Sequence, residues 1–403
     1  MRGEASVTVG CRVRICRGIT ATLAVALVLS LSPVIGPVAA EQTSLAARET
    51  QRLISLARPQ LKDPAGWAED ILWSLRISGI PHTPENVCAL IATVDQESNF
   101  KANPPVEGLG RRTLAALNAR LQGSDFKSLV LRSLFAADPS IKKNLVRRLR
   151  SARTERDIDI AYRKLVSEVL TIETIIELDS KYGLGAAQYL ESQNEITTIG
   201  SMQVSVVSAL EHERRYLARP LYLEDFYRVR DFLYTRRGGL LAGTRQLLGY
   251  QSGYTQKLHR FADYNAGRYS SRNAAFQWVV SELDGAALVL DGDLLAYRGQ
   301  VASTAKSKTE LAVIRIDNQL DLGLGQRRIR KDLTREKAFD FTSTTTYERI
   351  YGSYQARYGR VPPFARVPQI DLESVKLDRP LTTEWFARRV EARYRRCMKR
   401  IGT

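Results

Sequence analysis

The sequence has few of the histidines and cysteines that a zinc site requires. It contains three histidines and four cysteines among 403 residues, and none of them follows a zinc-ligand spacing. His212 and Glu213 begin like the two-histidine helix of zinc proteases, but Tyr216 stands where the second histidine is required. The sequence therefore predicts no metal site.

Long apolar runs are also scarce. The apolar run over residues 19–31 is shorter than the roughly 20 residues of a membrane-spanning helix. It follows four arginines and precedes the small residues 38–40, so we expect residues 1–40 to be a secretory signal peptide, the alternative being a membrane anchor. Cys11 and Cys16 precede the apolar run, so no lipid attachment site is predicted. No later segment is apolar enough to span a bilayer, and we expect no transmembrane segment once the signal is removed.

Acidic residues are outnumbered by basic ones, 43 to 60, which gives a formal net charge of +17. A positive protein attracts polyanions. An exported protein meets wall peptides with free carboxylates, lipopolysaccharide or teichoic acids, and lipid headgroups. The sequence therefore does not predict a nucleic-acid partner.

Two cysteines, Cys88 and Cys397, remain after residue 40. A disulfide between them is possible in an oxidising compartment. Cys88 lies in an apolar helical pattern, however, so a buried free thiol is the favoured expectation.

Apolar residues recur mostly at helical spacing, which predicts a mainly α fold. Thr83 and Pro84 are typical of a helix start, and after them Val87, Leu90, Ile91 and Val94 mark one buried helix face. Further helices are predicted over 44–58, 111–180, 205–217, 224–234, 240–248, 254–262 and 273–283, with a last basic helix from Thr382 or Thr383 to Met398. Residues 181–185 are predicted to be a loop, 287–297 a helix end or hairpin turn, 310–317 a strand or helix, and 364–379 an extended segment.

Glu97 falls near the end of the helix that starts at Thr83, at the edge of its apolar stripe. A carboxyl group there is half-buried, and burial raises the pKa of a carboxyl group. Such a glutamate can hold a proton near neutral pH and donate it to a leaving oxygen. Taken alone, an ordinary glutamate at a helix end is the better interpretation.

Two other short stretches stand out. Gly200-Ser201-Met202-Gln203 combines a permissive backbone, an adaptable apolar side chain and an amide. Tyr264-Asn265-Ala266-Gly267 supplies a hydroxyl and a turn that closes a helix. Each stretch alone is more often structural than functional.

Together and in this order, Glu97-Ser98, Gly200-x-Met202-Gln203 and Tyr264-Asn265-Ala266-Gly267 resemble the soluble lytic transglycosylases and their goose-type lysozyme relatives. The resemblance implies that Glu97 is the catalytic acid/base. It also implies that Ser98 hydrogen-bonds near the reacting sugar, that Gly200, Met202 and Gln203 line the cleft, that Tyr264 orients Glu97 and that Asn265 supports the cleft. As a whole, the chain resembles a family of bacterial envelope proteins of unknown function, often lipoproteins.

The chain departs from the transglycosylase pattern at three points. Ser201 replaces the usual leucine, Asp263 replaces an alanine, and the distance from Glu97 to Gly200 is far longer than usual. We therefore expect a lysozyme-like helical domain over residues 41–284 with a helical insertion at about 105–185, followed by a C-terminal α-rich extension over 285–403. The insertion either serves the glycan groove or a partner from the cell envelope, or is passive.

The implied activity is cleavage of the β-1,4 bond between N-acetylmuramic acid and N-acetylglucosamine with formation of 1,6-anhydro ends. Glycosidases that use two carboxylates need a second one across the bond; Glu107 and Asp263 are candidates by proximity to the motifs, and neither matches a family position. The predicted partner is the peptidoglycan glycan strand, the location the periplasm or envelope of a Gram-negative bacterium, and no cofactor is expected.

Three alternatives remain open. The first is a lysozyme-type hydrolase that uses the same Glu97, and the second is a non-catalytic peptidoglycan-binding scaffold. The third is a protein that binds polyanions or membrane surfaces through the basic helix over 388–400. Trp385, Phe386, Val390 and Tyr394 lie on one side of that helix, which favours packing against the core.

Overall fold

The computed structural model describes residues 37–124, 132, 135, 136, 138–169, 194–298, 301–372 and 381–401. The predicted signal peptide, apart from its last four residues, and the predicted loop at 181–185 lie outside these ranges. The chain divides into two compact units, Met1–Thr43 and Ser44–Thr403. The architecture below is that of the second unit.

The described residues are mainly helical, as predicted. The helices are α1 (Pro37–Ala57), α2 (Pro64–Ile77), α3 (Pro84–Ser98), α4 (Leu109–Gln122), α5 (Pro139–Ser151), α6 (Glu155–Val169), α7 (Val206–Leu217), α8 (Leu223–Leu233), α9 (Arg236–Leu247), α10 (Lys257–Ala266), α11 (Ser270–Asp284), α12 (Lys308–Leu320), α13 (Gln326–Leu333), a 3-10 turn (Phe339–Ser343), α14 (Thr345–Tyr358) and α15 (Thr383–Met398). Among the described residues, two-residue strands form three antiparallel pairs, β1–β2 (Thr198–Ile199, Val204–Ser205), β3–β4 (Tyr297–Arg298, Val301–Ala302) and β5–β6 (Asp371–Leu372, Leu381–Thr382). No helix in the described ranges is both long and apolar enough to cross a bilayer.

Helix α3 forms where its sequence predicts it. The Thr83 hydroxyl caps the first turn by accepting the Asn86 N–H at 3.4 Å, and Pro84 occupies the first helical position. Val87, Leu90, Ile91 and Val94 are all buried. The helix therefore lies inside the protein and brings Glu97 to its end.

The last helix, α15, packs on α3 and α10. The hydroxyl of Thr382 caps it by accepting the Trp385 N–H at 3.1 Å, and its apolar side is buried, with Phe386 and Val390 in the core. The prediction that the apolar side of this helix packs against the core is thus confirmed. The same contact brings Cys397 to Cys88, and the two form a disulfide with a Cα–Cα distance of 5.6 Å. The expectation of a free Cys88 thiol was therefore wrong, because the partner comes from a helix 309 residues further along the chain.

Two hydrophobic cores are present in the described residues. The first is formed by α1–α10 and α15 around α3, and the second by α11–α14, with Phe276, Val280 and Tyr354 among its members. Helix α11 lies before the predicted domain boundary at residue 284 but contributes to the second core. Helix α15 lies after that boundary but contributes to the first.

Within the predicted insertion, at about 105–185, the chain returns to its starting point at residue 154, ahead of the predicted end. Pro105 pairs with Thr154 as an isolated β-bridge, and the Val106 N–H donates to the Arg153 carbonyl at 2.9 Å. The chain between these two points contains α4 and α5. Helix α5 buries Ile141, Leu145 and Leu149. Because the ends meet, Glu155 at the start of α6 lies close to the segment that follows Glu97 in the chain.

The ambiguous C-terminal segments are also resolved. Residues 310–317 belong to helix α12, whose first turn Ser307 caps by accepting the Glu310 N–H at 2.9 Å. The segment from 364 to 370 is not helical and leads into β5, and residues 373–379 of that predicted segment lie outside the described ranges. Residues 287–296 form neither a helix nor a strand and lead into β3.

Candidate functional site

The Gly200–Gln203 segment is a tight turn between β1 and β2. Thr198 pairs with Ser205 and Ile199 with Val204, and the Gln203 N–H donates to the Gly200 carbonyl at 3.0 Å. Gly200 has a φ of +85°, and a Cβ there would lie 2.3 Å from the Leu233 carbonyl oxygen. Glycine is therefore required at this position both for its backbone angle and for space.

Helix α9 supports the turn with a face of glycines. A Cβ added at Gly243 would lie 2.4 Å from the Met202 sulfur, and one at Gly239 would lie 3.0 Å from the Ser201 hydroxyl oxygen. Met202 and Ser201 are both fully buried. The side chain of Met202 is therefore packed inward on α9, and Ser201, where the resembling family has leucine, faces the same helix.

Tyr264 binds the turn and lies near Glu97. The Tyr264 hydroxyl, on the buried side of α10, donates to the Met202 carbonyl at 2.7 Å. Burial, and next the negative charge of Glu97, raise the pKa of Tyr264 well above its usual range. The three motifs, which lie up to 167 residues apart in the chain, thus meet around one tyrosine.

Glu97 is half-buried in the last turn of α3, as predicted. The next residue, Ser98, is buried, and its hydroxyl donates to the Val94 carbonyl at 3.1 Å and accepts the Lys101 N–H at 3.3 Å. These contacts of Ser98 close the helix. Asn265 is exposed, and its side-chain oxygen accepts the Thr383 hydroxyl at 2.7 Å, which ties α10 to the start of α15.

Basic residues surround the last turn of α3. Asp95 accepts from Arg393 Nε at 2.8 Å and from Arg58, which also donates to Asn99. Arg389 Nε donates to the Gln96 side chain at 3.4 Å. Positive charge from α15 and from the end of α1 therefore lies beside the helix turn that carries Glu97.

Glu155 also contacts the motif turn, although no motif of the sequence points to it. Its carboxylate is buried and accepts the Gln203 amide at 3.2 Å, while the Gln203 amide oxygen accepts the Thr198 hydroxyl at 2.9 Å. The amide of Gln203 is therefore held in one orientation. Nothing in the local sequence marks Glu155, because the contact depends on the return of the chain at the bridge between Pro105 and Thr154.

A buried ion pair stabilises the helices that support the β1–β2 turn. Arg230 on α8 and Asp159 on α6 are at most 1% exposed, and Arg230 Nε donates to Asp159 at 2.6 Å. Arg230 also donates to the Ile196 carbonyl at 2.8 Å, just before β1. Because an unpaired buried charge is very costly, this pair ties α6, α8 and the β1–β2 hairpin into one arrangement.

The two candidate second carboxylates differ in environment. Glu107 is exposed. Asp263 is buried and receives four hydrogen bonds, from the Tyr250 hydroxyl at 3.1 Å, the Tyr254 hydroxyl at 2.7 Å, the Tyr269 N–H at 2.8 Å and the Ser271 N–H at 2.7 Å. Burial raises the pKa of Asp263 to about 6 although these hydrogen bonds lower it. The arrangement is that of an anchor for the α10–α11 junction.

No group of three or more His, Cys, Asp or Glu side chains in the described ranges is placed to hold a metal ion. The site brings together a half-buried carboxyl group, a buried tyrosine hydroxyl and an oriented amide.

Comparison with known proteins gives two matches. The profile of a family described as "Protein of unknown function (DUF1615)" matches residues 60–400. The chain is 36% identical over 339 residues to the uncharacterized protein YaiW of Escherichia coli (strain K12), an alignment that covers 84% of this chain and 86% of the relative. No solved structure matches the chain.

Proposed function

Because this chain belongs to the DUF1615 family of proteins of unknown function, its site has to be interpreted from its own chemistry, and we propose that it is a peptidoglycan lytic transglycosylase with Glu97 as acid/base. The convergence of the three motifs on Tyr264 carries the proposal. Tyr264 binds the backbone of Met202 and lies close enough to Glu97 for the charge of Glu97 to affect its pKa.

In the proposed reaction Glu97 protonates the oxygen between N-acetylmuramic acid and N-acetylglucosamine, and that bond breaks. The N-acetyl group of the muramic acid stabilises the positive centre at C1. Glu97, now a carboxylate, takes the proton of the C6 hydroxyl, whose oxygen bonds to C1. The proton returns to Glu97, no water is consumed, and a 1,6-anhydro end forms. One carboxyl group serves as acid and then as base, and no cofactor takes part.

Tyr264 has a positioning role in this proposal. Its single hydroxyl proton is committed to the Met202 carbonyl, so the lone pairs of its oxygen remain to accept a hydrogen bond. A protonated Glu97 can donate to that oxygen, and an ionised Glu97 cannot. In this proposal such a hydrogen bond orients the protonated carboxyl group of Glu97, which is the form that starts the reaction.

Gln203 presents an oriented amide in the same proposal. Its side chain is held by Glu155 and Thr198, so little side-chain entropy is lost when a sugar binds. The proposal extends to a lysozyme-like arrangement of the helices around α3. It also extends to an exported protein of the cell envelope of a Gram-negative bacterium that acts on glycan strands.

Isolated peptidoglycan sacculi provide the test. Purified protein lacking residues 1–40 is incubated with sacculi, and the released muropeptides are identified by mass spectrometry. We expect anhydro-muropeptides from the wild type and a loss of about a hundredfold or more in Glu97→Gln. Glu69→Gln, which neutralises an exposed carboxylate on α2, is the matched control and should keep full activity.

Circular dichroism of both variants shows whether the fold is retained. Products with reducing ends would overturn the transglycosylase reaction in favour of hydrolysis at the same residue. Equal release by wild type and Glu97→Gln would remove Glu97 from its role. No release, with the protein still sedimenting with sacculi, would leave a wall-binding scaffold.

A further inference from the structure

A small pocket lies next to the motif turn. It is enclosed by α7, α8, α9 and the segment after α10, has a volume of about 110 Å³, and shares Val204 with strand β2. Its walls include Val229, Phe232 and Leu241, and Phe232 is 44% exposed. One side of the pocket therefore offers an accessible apolar surface.

The other side of the pocket is basic. Four side chains line it, and we call this group the cationic pocket: His212 and Arg215 from α7, Arg245 from α9, and Arg268, which follows the Tyr264–Gly267 motif. The acidic residue lining it, Glu213, is paired with Arg228 at 2.8 Å. Within the described ranges none of the three arginines of the pocket forms an ion pair with a carboxylate.

The side chains of the pocket are held in place. Arg245 Nη1 lies 2.9 Å from His212 Nε2, and since a guanidinium can only donate, Nε2 accepts and the proton of the neutral ring is on Nδ1. Arg268 donates to the Arg245 carbonyl at 3.3 Å and stacks over the Tyr250 ring at 5.4 Å. Burial, and next the charges of Arg245 and Arg215, lower the pKa of His212.

The pocket is connected to the proposed catalytic cleft. The Gln246 amide, which lines it, donates to the Tyr264 carbonyl at 2.9 Å. Val204 follows Gln203 directly, and Arg268 follows Gly267. A ligand in the pocket therefore contacts the same two segments that carry the Tyr264 and Gln203 side chains.

We propose that the cationic pocket binds a free carboxylate of the wall peptides carried by the glycan strand. This inference rests on the proposed function. Planar guanidinium groups match a carboxylate with two parallel hydrogen bonds, and the apolar wall suits the aliphatic part of an amino acid. The enzyme would then prefer strands that still carry their peptides over bare glycan.

Binding and cleavage test the proposal separately. Isothermal titration calorimetry measures the affinity of a soluble wall tripeptide without sugar for the wild type and for Arg245→Gln/Arg268→Gln. We expect the double variant to bind at least about tenfold more weakly, because the charge-assisted hydrogen bonds are lost. Arg327→Gln/Arg349→Gln removes two exposed arginines elsewhere and is the matched control, with unchanged binding expected. Arg245→Lys keeps the charge and should retain part of the affinity.

Cleavage of sacculi is then compared with cleavage of glycan strands stripped of peptide by an amidase. We expect wild type to favour sacculi and the double pocket variant to lose the preference while remaining folded by circular dichroism. Peptide binding equal in all variants, or displaced as well by inorganic phosphate as by free peptide, would overturn the inference. If sacculi are not cleaved at all but the tripeptide binds through Arg245 and Arg268, the proposed function fails and the site stands.

Discussion

At the scale of single residues, two carboxyl groups near the motifs differ in surroundings. Glu97 is half-buried beside a tyrosine whose proton is given to another acceptor. Asp263 is buried beneath two tyrosine hydroxyls and two backbone N–H groups. A carboxylate that satisfies four donors holds a chain junction in place, whereas the half-buried Glu97 is the group that transfers the proton in our proposal.

Replacing Asp263 should therefore affect folding. Asp263→Asn keeps the size but leaves one acceptor oxygen for four donors, and buried unsatisfied donors cost about 1–3 kcal/mol. We expect the free energy of unfolding in urea at pH 7 to fall by that amount. Asp231→Asn, in a half-exposed pair with Arg163, is the comparison and should change stability by less than about 1 kcal/mol. Equal stability of wild type and Asp263→Asn would show that Asp263 is not an anchor.

The raised pKa of Asp263 also predicts a pH dependence. The pKa is about 6 in the folded protein against 3.8 in an unfolded chain. Between these values the folded state binds more protons, so the contribution of this group to stability is full below about pH 4 and falls as pH rises to about 6. The difference amounts to about 3 kcal/mol. Urea titrations from pH 4 to 7 should show this decline in wild type and lack it in Asp263→Asn.

Some residues of the candidate site could be predicted from the sequence and others could not. Glu97 could be placed at the edge of a buried helix because helical spacing fixes its direction. Asp263 could be noticed only as a departure from a motif, since its four donors come from a loop and from the next helix. Glu155 could not be found, because its contact with Gln203 joins residues 48 apart through the return of the chain at the isolated β-bridge.

At the scale of elements, α9 presents a face of glycines on which the β1–β2 turn packs. Its glycines allow the helix to approach the turn that carries Met202 so closely that a single methyl group would overlap with it. Glycine weakens a helix by about 1 kcal/mol relative to alanine. In α9 this loss of helix stability is offset by the close packing of the helix on the turn that carries Met202.

Alanine substitutions in two helices separate these effects. Gly243→Ala places a methyl group 2.4 Å from the Met202 sulfur, so we expect stability to fall by about 1–3 kcal/mol from overpacking. Gly352→Ala in α14 meets no atom within 4 Å and should raise stability by up to about 1 kcal/mol. Thermal unfolding followed by circular dichroism measures both. A gain of stability in Gly243→Ala would refute the close approach of α9 to the turn.

Helices were predictable where caps and apolar spacing agree. Thr83 and Pro84 for α3, and Thr382 for α15, are such cases. The strands were not predictable, because two-residue strands contain no alternation to detect. The sequence of residues 310–317 is compatible with a strand or a helix. In the structure these residues belong to a helix of 13 residues that Ser307 caps.

At the scale of the whole molecule, the first core joins distant parts of the chain. Helix α15 packs on α3 and α10, and the disulfide between Cys88 and Cys397 fastens it there. The predicted membership of a family of unknown function is confirmed over residues 60–400, a range that includes both cysteines. The sequence pattern around Cys88 could not predict its pairing with Cys397. Helical spacing explains why Cys88 is buried whether or not it forms a disulfide.

The disulfide should contribute measurably to stability. We expect Cys88→Ser/Cys397→Ser to lower the free energy of unfolding by about 2–5 kcal/mol, because the bond closes a loop of 309 residues in the unfolded chain. The melting temperature of the wild type should fall in dithiothreitol, and that of the double variant should not change. If dithiothreitol changes neither protein although mass spectrometry shows the bond reduced, the stabilising role is refuted.

The contact of α15 with α3 also sets an order in time. Leu53 is made early and Val390 among the last residues, yet both belong to one core. During synthesis α3 leaves the ribosome hundreds of residues before the helix that covers it, so its apolar surface must wait uncovered. The contact between α15 and α3, and the disulfide that fastens it, therefore form after the other helices of the first core have been made.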